Sequence, residues 1–137
     1  GHCIPVYPRL YLSTDPDASV VRTARTYNAG MPEYVVSRVE EVLGDLKDVK
    51  VAVLGASYRG AVKETAFSGV FATVDSLRKR GAKVLVHDPM FSDEELAGFG
   101  WDAYHFGEEV TAAIVQADHA EYKTISAASS YYLMAAG

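Results

Sequence analysis

The chain has 137 residues, of which 49% are hydrophobic and 23% are charged, with a formal net charge of -5 at pH 7. This length and composition suit one globular domain of about 100 residues with an additional arm, and they exclude a disordered chain. The negative charge and the lack of a long Lys/Arg run argue against nucleic acid or an anionic membrane surface as partners, so any anionic ligand must be held by a few local groups.

The single cysteine, Cys3, lies in the stretch GHCIPV at residues 1–6. Gly, His and Pro around a cysteine are typical of a tightly shaped loop, and we expect the chain to begin inside a motif. One cysteine excludes an intrachain disulfide framework, which predicts a reducing, cytoplasmic compartment. From these residues we expect neither a signal peptide nor a transmembrane segment. A lone cysteine is more often a small buried hydrophobic residue than a reactive thiol, but the residues around Cys3 favour the reactive thiol.

Two helices are predicted between residues 15 and 44. Asp15 can cap the first, with Pro16 at its first helical position. Pro32 predicts a break or kink, because proline lacks an N–H and disfavours helix in the residue before it. The second helix is predicted to end at Gly44. Residues at helical spacing form a first stripe of Val20, Val21, Ala24, Tyr27 and Asn28, and a second of Val35, Val36, Val39, Val42 and Leu43.

These two stripes predict a partner for the arm. An arm that precedes the compact domain has no core of its own in which to bury them, so a second copy of the chain is the expected cover. The alternative, that residues 33–43 pack on the domain of the same chain, stays open.

The compact domain is predicted to begin with a βαβ unit. Residues 49–54 are β-branched and apolar, with only Lys50 turned outward, which is typical of a buried parallel strand. Apolar positions at helical spacing predict a helix from residue 67, ending at the basic residues before Gly81. Residues 82–88 form the next predicted strand.

The alternation of predicted strands and helices is less clear toward the C-terminus. Residues 92–96 read as a capping box that opens a short helix, residues 101–106 as a short strand and residues 112–117 as a third strand. Residues 122–136 are weakly helical. We therefore expect an α/β fold in which a long central helix, kinked near Pro32, is followed by a small Rossmann-like parallel-sheet domain with a truncated C-terminal end.

The expected ligand site lies at the carboxyl ends of the strands, in the loops after Leu54, Asp88 and Gln116. In the first of these loops Tyr58 can stack on a ring, and Arg59 can bind phosphate or uracil in bidentate fashion. The loop is not Gly-x-Gly-x-x-Gly, so a free-standing dinucleotide domain is disfavoured. No metal is expected, because the histidines lack ligand spacing and read as packed or solvated: His2, His87, His105 and His119.

Residues 1–6 resemble the Gly-Gly-x-Cys loop of the UDP-glucose/GDP-mannose dehydrogenase family. The stretch RTYNAGMPEYVV at residues 25–36 is similar to the central helix of that family, which forms its dimer core. GASYR at residues 55–59 resembles the family's Gly-x-x-Tyr/Phe-Lys loop, with Arg59 in place of Lys. Residues 84–89 and 117–122 resemble its Tyr-Asp-Pro strand end and its Asp-His-x-Glu-Phe turn. The matches keep the same order along most of the chain.

The resemblance implies an NAD-dependent nucleotide-sugar 6-dehydrogenase that oxidises a UDP-hexose, with UDP-N-acetylmannosamine as the expected sugar, to its uronate. It implies that Cys3 is the catalytic nucleophile, which attacks the C6 aldehyde to form a thiohemiacetal that is then oxidised to a thioester. The implied substrate-binding residues are Gly1, His2, Ile4, Tyr58 and Arg59. NAD would be held mainly by an N-terminal domain, and this chain alone is expected to be inactive.

The resemblance also implies the organisation of the chain. Residues 1–14 would form the active-site loop, residues 15–44 the central helices of a homodimer and residues 45–137 the UDP-sugar-binding α/β domain.

Two positions depart from the family pattern. Tyr7 stands where the family has an Asp four residues after its cysteine, and Ala66 stands where it has an Arg that reaches toward the cofactor. These departures keep a second interpretation open, in which the chain is a non-catalytic module for nucleotide-sugar binding or dimerisation.

Overall fold

The computed structural model describes residues 3–125 and the strand at residues 131–134, and three helices form its N-terminal arm. Helix α1 spans Tyr7–Thr14, α2 spans Ser19–Ala29 and α3 spans Met31–Leu43. Helix α1 occupies residues that were predicted to be a loop. The predicted break near Pro32 is confirmed, because Gly30 separates α2 from α3 and Pro32 lies in the first turn of α3. In the described residues, no helix combines the length and apolar character needed to cross a membrane.

Asp15 ends α1 rather than opening α2, so the predicted cap is wrong. Its backbone N–H donates to the carbonyl oxygen of Tyr11 at 3.0 Å, and its carboxylate accepts from the Tyr11 hydroxyl at 3.3 Å. Helix α2 begins only at Ser19. An Asp-Pro pair suits either boundary, because proline can open a helix and also stops one that precedes it.

Five parallel strands form one sheet in the order β3-β2-β1-β4-β5. They are β1 (Lys50–Leu54), β2 (Lys83–His87), β3 (Asp102–Ala103), β4 (Ala112–Val115) and β5 (Tyr131–Met134). Strand β1 is central, and every residue after the exposed Lys50 is buried, as predicted for a strand covered on both faces. The predicted Rossmann-like parallel sheet is thus confirmed, and its topology brings the carboxyl ends of β1, β2 and β4 to one edge.

Each face of β1 belongs to a separate apolar cluster, because side chains alternate along a strand. Val51 and Val53 pack with the helices on one face of the sheet. Ala52 and Leu54 pack on the other face, with Tyr122.

Helix α3 packs on the sheet domain, whereas α2 does not. Val35, Val36 and Val39 are at most 3% exposed and belong to the same apolar cluster as Val51 and Val53 of β1. The alternative that the second stripe packs on its own domain is therefore confirmed, and the premise that both stripes lack such a cover is wrong.

Helix α2, all of whose residues are described, buries no side chain. Val20 is 80% exposed and Tyr27 is 77% exposed. Val20 and Tyr27 of the first stripe thus remain open to a partner.

Arg80, just after helix α4 (Val70–Lys79), fastens α3 to the domain. Its Nε donates to Glu40 at 2.9 Å, and its Nη2 donates to Glu33. The Ser76 hydroxyl also donates to Glu33. Because Arg80 and Ser76 both donate to it, the pKa of the Glu33 carboxyl is lowered to about 2. The Glu33 side chain is 60% exposed, so solvent weakens what this pair contributes to stability.

Helix α4 begins at Val70, later than its apolar spacing predicted. Phe67 has a φ of 59°, in the left-handed region that a right-handed helix excludes. The predicted end is confirmed, with Arg78 and Lys79 in the last turn and Gly81 at a φ of 82°.

Helix α5 (Asp93–Gly98) opens on the predicted capping box. The Glu95 carboxylate accepts from the Ser92 backbone N–H at 2.8 Å, and the Ser92 hydroxyl accepts from the Glu95 N–H at 3.3 Å. The strand predicted at residues 101–106 is reduced to β3.

The weak helix predicted over residues 122–136 is wrong. Ala120–Thr124 form a 3-10 helix, and Tyr131–Met134 form strand β5. Strand β5 pairs in parallel with β4, in the register Ala112 to Tyr131. The backbone N–H and C=O groups along the free edge of β4 form hydrogen bonds with residues 131–134. A local sequence pattern cannot predict that this edge is free. The rest of that prediction lies outside the described residues.

Candidate functional site

A cavity of about 510 Å³ lies between the N-terminal arm and the sheet domain. Its wall comes from residues 3–5, helices α1 and α2, the first half of α3, the loop after β1, the start of α4 and the residue after β4. Small-molecule sites commonly have this volume. Cys3 and Tyr58, which are far apart in sequence, line this one space, so the cavity is the candidate ligand site.

The cavity brings together three of the predicted site residues, Cys3, Ile4 and Tyr58. Cys3 is an exposed free thiol, accessible to a ligand in the cavity. Arg59 is exposed, and in the part of the chain that the structure describes it does not line the cavity. Gly1 and His2 lie outside the described residues, so their predicted roles remain predictions.

Arg25 and Asn28 of α2 also line the cavity, and their sequence pattern had predicted no ligand role for them. Nη1 of Arg25 donates to Oδ1 of Asn28. The Nε atom of Arg25 is buried and has no hydrogen-bond partner among the described residues. The spacing of three residues, which places a cation and an amide on one helix face, was the signal that could have identified them.

The carboxylate of Asp88, directly after β2, fixes the start of the loop after β1. Its Oδ2 accepts from the backbone N–H groups of Ala56 at 2.8 Å and Ser57 at 3.2 Å. Its Oδ1 accepts from the N–H of Met90 at 2.9 Å. Asp88 is only 2% exposed, and a buried carboxylate needs such donors. These contacts tie the ends of β1 and β2 together.

His119 connects the same carboxylate to the middle of that loop. Its Nε2 lies 3.2 Å from Oδ2 of Asp88, and the backbone N–H of Ala61 donates to its Nδ1 at 3.4 Å. Because Nδ1 faces a backbone donor, Nε2 is the ring nitrogen that can donate to Asp88. His119 is 4% exposed, so its interpretation as a packed histidine is confirmed.

Gly60 brings the loop into close contact with the turn after β4. Its N–H donates to Oδ1 of Asp118 at 2.9 Å, and this bond lowers the pKa of the Asp118 carboxyl. A Cβ at position 60 would lie 2.5 Å from the carbonyl oxygen of Asp118, a distance that only glycine avoids. The loop that carries Tyr58 and Arg59 is therefore held from β2 and from the turn after β4.

The turn after β1 does not fit the pyrophosphate of NAD. In dinucleotide-binding domains the backbone N–H groups at this turn bind phosphate. Here the N–H groups of Ala56 and Ser57 are bonded to the Asp88 carboxylate, whose negative charge already occupies that position. Across the described residues, no three His, Cys, Asp or Glu side chains are grouped so as to hold a metal ion.

Residues 52–137 match the sequence profile of the UDP-glucose/GDP-mannose dehydrogenase family, UDP binding domain. The chain is 32% identical over 127 residues to the UDP-N-acetyl-D-mannosamine dehydrogenase of Methanocaldococcus jannaschii, covering 90% of this chain and 28% of the relative. A similar match, 32% over 130 residues, is to the enzyme of the same name from Methanococcus maripaludis, with 91% of this chain and 29% of the relative covered. The chain thus spans less than a third of these relatives.

Solved structures give the same picture. UDP-D-ManNAc dehydrogenase from Pyrococcus horikoshii matches with a TM-score of 0.77 at 27% identity, over 92% of this chain and 30% of that one. A UDP-glucose dehydrogenase from Pyrobaculum islandicum matches with a TM-score of 0.84 over 98% of this chain and 34% of that one. At 23% identity, the second match shows similarity of fold only.

Proposed function

The chain belongs to the UDP-glucose/GDP-mannose dehydrogenase family, and on this premise we propose that it is the part of a UDP-sugar 6-dehydrogenase that binds the UDP-sugar and carries the catalytic cysteine. The observation that carries the proposal is the cavity lined by both Cys3 and Tyr58. Residues 1–14 serve as the active-site segment and residues 45–137 as the UDP-sugar-binding domain. The proposed substrate is UDP-N-acetylmannosamine, which the names of the relatives support.

Cys3 acts as the nucleophile in this proposal. Its sulfur attacks the C6 aldehyde to form a thiohemiacetal, and hydrolysis of the later thioester breaks the C–S bond and releases the uronate carboxylate. The expected hydride acceptor is NAD, for which the turn after β1 has no fitting site. Exposure of the Cys3 thiol to the cavity supports the role.

Binding without turnover is the direct test of the proposal. We expect calorimetry to show weak binding of UDP and none of NAD, with no NAD-dependent oxidation by this chain. Tyr58→Ala should weaken UDP binding, and Arg59→Ala should cost about 1.5–3 kcal/mol if its guanidinium meets a phosphate. Arg38→Ala, an exposed change on α3, is the control. Preference for NAD over UDP would refute the assignment.

A homodimer formed through residues 15–44 is the second part of the proposal. The uncovered stripe of α2, with Val20 and Tyr27 exposed, supports it. Val20→Glu should shift the chain toward monomer in light scattering at tens of micromolar, because it places a charge on the apolar surface without disturbing a buried residue. Met90→Glu, at an exposed position outside the arm, should leave the mass unchanged. A wild-type monomer at these concentrations would contradict this part.

A non-catalytic nucleotide-sugar-binding module is the alternative function. It is favoured by Tyr7, which is 59% exposed and offers no carboxylate beside the cysteine segment. Cys3→Ser in the reconstituted dehydrogenase decides between the two. Loss of uronate with retained sugar binding supports catalysis by Cys3, and unchanged uronate production refutes that role. No uronate from the unsubstituted protein, with sugar binding retained, favours the module.

A further inference from the structure

We propose that Arg9 and Arg25 form an anion subsite in the cavity beside Cys3, and that this subsite takes a carboxylate located at, or one bond from, the carbon with which Cys3 reacts. Arg9 lies on α1 and Arg25 on α2, and both line the cavity that Cys3 opens into. Neither arginine takes part in the proposed chemistry of Cys3 or in the contacts of Tyr58 and Arg59.

The charge of the cavity wall is the first observation. Among the described residues of the wall, the charged side chains are these two arginines, and no Asp or Glu lines it. The chain as a whole carries a net charge of -5. A concentration of positive charge in one cavity of an acidic protein attracts an anionic ligand group.

The hydrogen bonds of Arg25 are the second observation. Its Nη1 is held by Asn28, while its buried Nε has no partner within the described part of the chain. A buried N–H without an acceptor costs free energy that a ligand oxygen would recover. Within the same described residues, neither Arg9 nor Arg25 forms a salt bridge, so both charges remain available.

The position of Cys3 indicates which anionic group of a ligand would contact Arg9 and Arg25. A carbon bonded to its sulfur lies in the same cavity as both arginines, so an oxyanion on that carbon is the nearest anion to them. In the proposed reaction C6 becomes the carbon of the uronate carboxylate once hydrolysis breaks the C–S bond, and this carboxylate is the anion that we place in the subsite. The identity of the sugar acid rests on the proposed function, whereas the subsite itself does not.

Alkylation of Cys3 tests the subsite without any nucleotide. Iodoacetate and iodoacetamide react alike, since the sulfur displaces iodide, forms an S–C bond and loses its proton to solvent. Only iodoacetate places a carboxylate next to the reacting carbon. Because Cys3 is the single cysteine, mass spectrometry of the whole chain reports the rate at one thiol.

We expect Arg25→Gln to lower the ratio of the iodoacetate rate to the iodoacetamide rate by about three- to tenfold, and Arg9→Gln to lower it less, because Arg9 is exposed. Using the ratio cancels any change in thiolate fraction. Arg25→Lys should keep part of the preference, and Arg22→Gln on the same helix, outside the described cavity wall, should keep all of it. Circular dichroism checks that each variant is folded. An unchanged ratio in Arg25→Gln and Arg9→Gln overturns the proposal.

Nucleotide binding separates a carboxylate from the diphosphate as the bound anion. Calorimetry of the wild-type chain and Arg25→Gln should show a larger loss of affinity for UDP-glucuronate than for UDP-glucose or UDP. An equal loss for all three would assign the arginines to the diphosphate and overturn the carboxylate proposal. If the wild-type chain binds none of them, the proposed function fails, and the alkylation ratio still decides the subsite.

Discussion

Replacing Asp88 by Asn tests whether its carboxylate holds the loop after β1. The amide introduced by Asp88→Asn would keep one oxygen for Ala56, Ser57 and His119, while its NH₂ group would face the N–H of Met90. The native carboxylate accepts three backbone hydrogen bonds, from Ala56, Ser57 and Met90. A bond to a charged group contributes about 1 kcal/mol more than a neutral one, so we expect a loss of about 3 kcal/mol in the free energy of unfolding.

Urea denaturation at pH 7 measures this loss, with UDP calorimetry as a second readout of the loop that carries Tyr58. Asp75→Asn is the matched control, because Asp75 lies exposed on α4, and it should change stability by no more than about 0.5 kcal/mol. A loss below about 1 kcal/mol for Asp88→Asn, together with unchanged UDP affinity, would refute the argument that the carboxylate positions the loop.

Packing and charge lead to three further predictions. Leu77→Ala, at a side chain with 0% exposure, should cost about 2–5 kcal/mol in urea denaturation, whereas Val20→Ala at 80% exposure should cost under about 0.5 kcal/mol; equal costs would contradict the packing. Gly60→Ala should weaken UDP binding, because its Cβ would lie 2.5 Å from a backbone oxygen, whereas Gly98→Ala meets nothing within 4 Å and should leave binding intact. The lowered pKa of Glu33, about 2 against an ordinary 4.5, means that its stabilisation is present above pH 4.5 and is lost as pH falls toward 2. Arg80→Gln should flatten that part of a stability-against-pH curve, and an unchanged slope would argue against the pair.

The sequence alone predicted those elements whose structure depends on neighbouring residues. The capping box at Ser92 and Glu95, the break at Gly30 and the buried strand β1 are each encoded within a few residues, because capping, proline geometry and side-chain alternation act over short distances. The GHCIPV stretch and the GASYR loop likewise identified Cys3 and Tyr58 as candidate site residues. What local patterns could not report was that these two side chains line one cavity.

Tertiary contacts decided the remainder. Helices α2 and α3 have similar apolar stripes, yet only α3 is buried, since Arg80 and the sheet domain lie against it. Residues 131–134 became a strand because the open edge of β4 offers backbone partners, which outweighs a weak local preference for helix. His119 acquired its role from Asp88, 31 residues away along the chain. Long-range pairing of this kind depends on which strand ends meet in space, and that is determined by the order of the sheet rather than by any short stretch of sequence.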